Sequence, residues 1–73
     1  MEIFKLKDSE DYIKLGQALK AAGLAESGAD AKQAVQDGCV KVNGETDTRR
    51  GRKLHDGDVV EYDGRTIKIA VNK

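Results

Sequence analysis

The sequence predicts an α+β domain in which two short helices pack on a small, mostly antiparallel sheet. Apolar residues recur at helical spacing through the first half of the chain, and they alternate with polar residues along short segments of the second half. Turn dipeptides that contain Gly separate those later segments. The length of 73 residues suits one domain, and no linker or repeat divides it, so we expect residues 1–73 to form a single domain.

The first helix is predicted from a start signal, an apolar face and a stop signal. Ser9 is a good N-cap, and the acids Glu10 and Asp11 that follow it suit the first turn of a helix. The apolar face has the spacing i, i+3, i+4, i+7 and consists of Leu15, Ala18, Leu19 and Ala22. Gly23 comes next, so we expect a helix of about three turns that ends there.

A second, shorter helix is predicted to begin after Ser27. Ser27 is an N-cap candidate, and Asp30 three residues later resembles a capping box with Asp in place of Glu or Gln. The apolar stripe of this helix consists of Ala31, Ala34 and Val35. Gly38 is expected to end it.

Strands are predicted after Gly38, where the apolar period changes from 3.6 to 2. The alternating apolar positions are Val40 and Val42, then Val59, Val60 and Tyr62, and finally Ile67, Ile69 and Val71. The turns between them are Asn43-Gly44, Asp56-Gly57 and Asp63-Gly64. We expect Met1–Lys7 to be an edge strand or arm and Thr46–Leu54 to be extended or irregular. The predicted order of elements is β–α–α–β–β–β–β.

Composition excludes several classes of protein. The chain lacks an apolar run long enough to span a membrane, and its first ten residues lack the apolar region of a signal peptide. Its single cysteine, Cys39, cannot form an internal disulfide, which argues against a stapled secreted scaffold. We therefore expect a protein of the cytoplasm that makes no contact with membranes. We also expect it to be a monomer.

The residue types present give little support to a catalytic or metal site. The only His and the only Cys, His55 and Cys39, have the spacing of neither a nucleophile pair nor a zinc site. The acids between residues 56 and 63 lack the spacing and the final Glu of a calcium loop. The glycines form no phosphate-binding loop. We expect a protein without enzymatic activity, cofactor, metal or small-molecule substrate.

Charge is distributed in blocks, although 13 basic and 13 acidic residues give a net charge of zero. Residues 54–64 carry four acids and no Lys or Arg, whereas four of the five residues 49–53 are cations. Those cations are Arg49, Arg50, Arg52 and Lys53. A short charged run is commonly a solvated loop, but the Arg guanidinium pairs bidentately with phosphate. Lys41 is expected nearby, and the patch could be extended by Lys14, Lys20 and Lys32.

The charge pattern favours RNA as the ligand. Roughly six to eight cations on one face would bind a phosphate backbone with a strong dependence on salt. Aromatic residues are few, namely Phe4, Tyr12 and Tyr62, so a platform for stacking bases is not expected. Recognition by charge and shape suits structured RNA better than an extended strand.

From Leu15 to Tyr62, about two-thirds of the chain, the ordered motifs resemble the S4-type RNA-binding domain, the αL motif named after a protein of the small ribosomal subunit. The motifs that carry the resemblance are Leu15 and Leu19, then Ser27, Ala31, Lys32 and Val35, then G-x-V-x-V-N-G at Gly38–Gly44, and finally Leu54 and Gly57–Val60. The whole layout resembles the small stand-alone bacterial members. It implies a core motif at about residues 12–63, with an N-terminal strand or arm and a C-terminal strand.

The resemblance implies an RNA-binding surface formed by the two helices and the loop into the hairpin. It selects Ser27, Gly28, Lys32, Lys41, Asn43 and Gly44, and the basic run matches the stand-alone subgroup. For Ser27, Asn43 and Gly44 we favour a structural role, as a helix cap and a turn. The chain has Lys14-Leu15-Gly16 where the family often has Arg-Leu-Asp, and Ser27-Gly28 where it often has Ser-Arg.

Two functions are compatible with these observations. The first is a non-enzymatic protein that recognises structured RNA, with ribosomal RNA as the expected class. The alternative is a protein-docking adaptor of the ribosome or the translation machinery, whose acidic residues 56–63 meet a basic partner. Under the first function, replacing Arg49 and Arg50 together should weaken RNA binding and leave thermal stability nearly unchanged.

Overall fold

The computed structural model describes residues 2–6 and 11–71, which contain two helices and seven strands. In chain order they are β1 (Glu2–Leu6), β2 (Ile13–Lys14), α1 (Leu15–Ala21), α2 (Gly28–Gln36), β3 (Lys41–Val42), β4 (Glu45–Thr46), β5 (Lys53–Leu54), β6 (Val59–Tyr62) and β7 (Arg65–Val71). Five strands form a sheet in the order β1-β7-β6-β3-β4, and β2 pairs with β5 in a separate ladder. Only the β1–β7 pair among these strands is parallel. The predicted α+β fold is confirmed.

One hydrophobic cluster joins the helices, the sheet and the small ladder. Its buried members are Leu6, Ile13, Leu15, Ala18, Leu19, Ala31, Ala34, Val35, Val40, Val42, Leu54, Val60, Ile67 and Ile69. The predicted apolar stripes of both helices lie in this cluster, with Ala22 and Tyr62 packed against it as partly buried residues. The side chain of Val71 lies outside the described part of the chain. The predicted inward positions are therefore confirmed for most of the strand residues, whereas Val59 is half-buried and lies outside the cluster.

The second helix follows its predicted signals closely. The Ser27 hydroxyl accepts a hydrogen bond from the backbone N–H of Asp30 at 3.2 Å, which caps the N-terminus of α2. At the other end, Gly38 adopts a φ of +75°, the left-handed conformation that glycine allows after a helix. Neither helix of the described residues is long and apolar enough to cross a membrane.

The predicted start of the first helix is wrong. Ser9 and Glu10 lie outside the described residues, Asp11 lies in a bend before the helix, and no acid occupies its first turn. The helix has seven residues rather than about three turns, because Ile13–Lys14 pairs with β5 as a strand instead. Its predicted end at Gly23 is confirmed, where φ is +77°.

The β3–β4 turn explains the roles of Asn43 and Gly44. Both residues have positive φ, +53° and +85°, as a type I′ hairpin turn requires. The Asn43 side chain also accepts a hydrogen bond from the backbone N–H of Val59 at 2.9 Å and donates one to Asp58 at 3.1 Å. Asn43 therefore shapes the turn and ties it to the start of β6.

The two contributions of Asn43 can be separated by replacing it with Gly and with Ala. Asn43→Gly keeps the left-handed conformation and loses the side-chain hydrogen bonds, so we expect a loss of about 1–2 kcal/mol in the free energy of unfolding. Asn43→Ala also imposes backbone strain and should cost about 1 kcal/mol more. Urea denaturation measures both values. Equal stability of the two variants would show that the positive φ imposes no strain.

Candidate nucleic-acid interface

Residues 47–52, which we call the basic loop, are attached by their backbone to the N-terminus of α1. No side chain caps this helix, whose N-cap position is Lys14. Instead, the N–H of Leu15 donates to the carbonyl oxygen of Arg52 at 2.8 Å, and the N–H of Gly16 donates to that of Arg50 at 3.0 Å. Carbonyls of the loop thus satisfy two of the N–H groups that every helix start leaves open. This contact fixes the loop beside both helices.

The conformation of the basic loop depends on the carboxylate of Asp47, which is only 6% exposed. It accepts hydrogen bonds from the backbone N–H and the Nε of Arg49, at 2.8 and 3.1 Å, and it pairs with Nη2 of Arg49 at 2.9 Å and Nη1 of Arg52 at 2.7 Å. The Arg49 hydrogen bonds, with help from Arg52, hold the pKa of Asp47 far below its usual range against the opposing effect of burial. Asp47 therefore fixes both arginines and partly neutralises them.

Arg50 differs from the two arginines beside it. Within the described residues it makes no side-chain hydrogen bond or ion pair, and its side chain lies across Gly16. A Cβ at residue 16 would be 2.6 Å from Cγ of Arg50 and 3.2 Å from Cδ, closer than side chains tolerate. The glycine that departs from the family pattern at this position therefore makes room for Arg50.

Two grooves meet at Gly51, at the tip of the basic loop. The helix-side groove, of about 400 Å³, lies between α1, the start of α2 and the loop, and it is lined by Lys14, Gly16, Gln17, Lys20, Gly28, Arg50 and Gly51. The strand-side groove is lined by Arg49, Gly51, Arg52, Lys53, His55 and Asp58. Three cations and no carboxylate line the helix-side groove within the described chain.

Asp58 is the carboxylate that lines the strand-side groove, and its oxygens serve the local fold. It accepts hydrogen bonds from the backbone N–H of His55 at 2.7 Å and from the Asn43 side chain at 3.1 Å. Burial raises the pKa of Asp58, but these hydrogen bonds outweigh burial and lower it overall. Asp58 therefore holds the turn before β6 as an ionised group.

Seven of the residues selected from the sequence line one of the two grooves. They are Lys14, Lys20, Gly28 and Arg50 on the helix side, and Arg49, Arg52 and Lys53 on the strand side. Ser27, Lys32, Lys41 and Asn43 line neither. Ser27 and Asn43 have the structural roles described above, and Lys32 is exposed on α2.

Lys41 lies on β3 beside Thr46, which precedes the basic loop, but it lines neither groove. Its exposed side chain alternates with the buried Val42, and its neighbours across the sheet are Glu61 and Thr46. It lines a separate concavity together with Glu61 and Arg65. Lys41 therefore neighbours the start of the basic loop along the backbone, but the pleat of β3 directs its side chain to a concavity other than the two grooves.

Tyr12 belongs to this surface, although the sequence-based prediction does not include it. The ammonium of Lys53 lies 4.9 Å from the centre of the Tyr12 ring, and the ring of His55 lies 6.1 Å from it. One of the few aromatic residues therefore does lie among the cations. The available signal was the alternation of Tyr12, Ile13 and Lys14, which is typical of a strand with one buried face.

Comparison with known proteins identifies relatives over most of the chain. The family model described as "S4 domain" matches residues 4–70. RlbA of Bacillus subtilis (strain 168), described as a probable ribosome maturation protein, is 52% identical to this chain over 54 residues. The matched residues are 74% of this chain and 76% of RlbA. YbcJ of Escherichia coli (strain K12), whose name proposes RNA binding, is 38% identical over 58 residues, or 80% of this chain and 83% of YbcJ.

Solved structures agree with these sequence matches. The solution structure of E. coli YbcJ, described as having an αL motif involved in RNA binding, superimposes with a TM-score of 0.72 at 36% identity, covering 96% of this chain and 87% of YbcJ. Ribosomal protein S4e of Thermoplasma acidophilum shares the fold, with a TM-score of 0.57 at 24% identity over 82% of this chain and 31% of its own.

The contact between Gly16 and Arg50 can be tested with a double-mutant cycle. In the Arg50→Ala background, Gly16→Ala should stabilise the protein by up to about 1 kcal/mol, because alanine favours the helix. With Arg50 present, the new Cβ must displace its side chain, so the same change should stabilise less or destabilise. Urea denaturation gives the coupling, which we expect to exceed about 0.5 kcal/mol. Additive effects would mean that Arg50 does not lie on Gly16.

The buried Asp47 predicts a specific dependence of stability on pH. Its folded pKa is depressed from the usual 3.8, so its contribution is present above that value and is lost as the pH falls toward the folded pKa. Asp47→Asn should lower the free energy of unfolding by about 1–3 kcal/mol near neutral pH. The difference from wild type should shrink below about pH 4. Glu45→Gln, at an exposed carboxylate on β4, is the control, and a constant difference for Asp47→Asn at every pH would contradict the assignment.

Proposed function

The chain belongs to the S4 domain family, and from this premise we propose that it binds structured RNA without catalysing a reaction, with ribosomal RNA as the class of target. The proposed binding surface comprises the two grooves around Gly51, and we call it the basic surface. Its cations are Lys14, Lys20, Arg49, Arg50, Arg52 and Lys53.

The observation that carries this proposal is the convergence of the cations of the helix-side groove from two separated parts of the chain. Lys14 lies in β2 at the N-cap of α1 and Lys20 lies in α1, whereas Arg50 comes from the basic loop, at least thirty residues later. Folding brings them into one groove without a neutralising carboxylate among the described residues that line it. Such a concentration of uncompensated positive charge costs stability unless an anion binds there.

The zero net charge of the chain is compatible with this proposal. The field at a groove depends on the charges that line it rather than on the sum over the molecule. Arg49 and Arg52 share their charge with Asp47, whereas Lys14, Lys20 and Arg50 line a groove that has no carboxylate among the described residues. A phosphate backbone laid along the helix-side groove would release counterions there.

The relatives support the same class of ligand. The αL motif of YbcJ is described as involved in RNA binding, and the name of RlbA proposes ribosome maturation. These two names connect the fold with RNA and with the ribosome, and they are the basis for ribosomal RNA as the target class. We propose further that the chain acts as a monomer in the cytoplasm.

A function by binding alone agrees with the placement of the reactive side chains. Cys39 is exposed and lines a different concavity from His55, so the two are not arranged as a nucleophile and base. Within the described residues, no three His, Cys, Asp or Glu side chains are grouped as metal ligands. We propose that the chain acts without a cofactor or a small-molecule substrate.

The alternative function as a protein-docking adaptor receives less support from the acidic residues 56–63. The Asp58 carboxylate is hydrogen bonded within the fold, and Glu61 lies opposite Lys41 in the sheet. Co-purification with ribosomes separates the two functions. Nuclease treatment should release the chain if RNA mediates the association, and the chain should stay bound if a protein contact does.

Salt-dependent RNA binding tests the proposed function. Lys20→Ala and Arg50→Ala should each weaken binding to a structured ribosomal RNA fragment by about fivefold to tenfold at low salt, and each should reduce the slope of log affinity against log salt by roughly one. Filter binding at several salt concentrations measures both quantities.

Lys68→Ala is the matched control, because Lys68 is an exposed cation on β7 that lines neither groove. It should leave the affinity close to that of wild type. Arg49→Ala is unsuitable as a clean test, since it removes hydrogen bonds from the buried Asp47. Replacing Arg49 should therefore lower the thermal stability, contrary to the expectation from the sequence that both arginines can be replaced without such a loss. Undetectable binding by wild type at low salt would overturn the proposed function.

A further inference from the structure

We propose that the solvent-facing side of the β2–β5 ladder receives one unpaired nucleotide of the bound RNA. The base would stack on the ring of Tyr12, and its phosphate would lie between Lys14 and Lys53. This inference rests on the proposed function and narrows the ligand to RNA in which a helix is interrupted by at least one unpaired nucleotide.

The register of the ladder places these side chains together. Ile13 pairs with Leu54, and both are buried in the core. Lys14 pairs with Lys53, and both are exposed, so the two ammonium groups project from the opposite side of the ladder. Tyr12 is two residues before Lys14, so its side chain lies on the same side of the ladder as that of Lys14. The Tyr12 ring centre lies 4.9 Å from the Lys53 ammonium. The exposed side of the ladder thus combines an aromatic ring with two cations.

The pairing of Lys14 with Lys53 is unfavourable in the free protein. Like charges directly opposite each other destabilise an antiparallel pair. Neither ammonium forms an ion pair with a carboxylate in the described part of the chain. A phosphate between them would convert this repulsion into attraction. The ladder therefore presents two like charges whose repulsion a bound phosphate would relieve.

The Tyr12 ring supplies a surface for a base. Tyr12 is 39% exposed and is one of two large apolar side chains, with Ile3, that are exposed in the described residues. Bases stack on exposed aromatic rings beside cations in proteins that bind unpaired RNA. In the free protein the Lys53 ammonium occupies this position, and its flexible four-carbon chain allows it to move to the phosphate when the base arrives.

An unpaired nucleotide fits this arrangement better than a base pair does. Within an A-form helix, each base is covered on both faces by its neighbours, and the phosphates lie outside. A base that leaves the stack exposes a face to Tyr12, while its phosphate stays near Lys14 and Lys53. The adjoining helix would then lie along the helix-side groove, which Lys14 also lines.

Two matched RNA hairpins test this inference. One contains a single bulged 2-aminopurine, and the other has the same stem without the bulge. Wild type should bind the bulged hairpin roughly tenfold more tightly, the order of magnitude expected for one stacked base, and should quench the 2-aminopurine fluorescence. Tyr12→Leu should abolish the preference and the quenching while retaining affinity for the paired hairpin. Tyr12→Phe, which keeps the ring, should retain both.

The outcomes separate this inference from the proposed function. Equal binding of both hairpins by wild type, without quenching, would overturn the proposed stacking of a base on Tyr12 and leave the proposed RNA binding intact. Equal loss of affinity for both hairpins in Tyr12→Leu would also overturn it, because Tyr12 would then act through general binding or through the fold. Urea denaturation of each variant accompanies these measurements. If Tyr12→Leu fails to fold, the quenching of 2-aminopurine fluorescence by wild type decides the inference by itself. Failure of wild type to bind either hairpin would overturn the proposed function itself.

Discussion

The hydrogen bonds between the basic loop and the start of α1 determine the geometry of the rest of the candidate interface. A short helix without a side-chain cap leaves its first N–H groups unsatisfied, and the carbonyls of Arg50 and Arg52 accept from Leu15 and Gly16. The same contact lets Ile13–Lys14 pair with β5 and brings the cations of the loop beside those of the helix. Helix start, loop and ladder are therefore joined by hydrogen bonds into one structural unit.

Within this unit, two arginines of the basic loop stabilise the loop, and the third is available to bind a ligand. Asp47 binds Arg49 and Arg52, so those side chains hold the loop in shape and carry a reduced net charge. Arg50 supplies its carbonyl to the helix and extends its side chain over Gly16, where no carboxylate compensates it. The arrangement illustrates why a cluster of basic residues is a poor guide to binding energy. Neighbouring cations of the same type differ in exposure, in partners and in the cost of moving them.

The arrangement also reconciles a chain of zero net charge with a polyanionic ligand. Fully basic domains attract nucleic acid over their whole surface, whereas here six cations line the two grooves around Gly51 in a chain of zero net charge. Binding of this kind depends on the fit between the groove and the shape of the RNA, since little long-range attraction is available. An aromatic ring at the edge of such a groove would favour RNA with an unpaired nucleotide over fully paired RNA, and it would add no charge.

The sequence by itself determined the fold class, the apolar faces of both helices, the end of each helix and the turn at Asn43-Gly44. These features depend on local periodicity, on caps and on residues that tolerate positive φ, all of which act over a few positions. Only the tertiary structure decided where α1 begins, which cations share a groove and that Tyr12 lies beside Lys53. Each of these depends on contacts between segments about forty residues apart. No local pattern reveals that the carbonyls of the loop replace a missing cap, because the partner of a helix N–H is chosen by the packing of the whole chain.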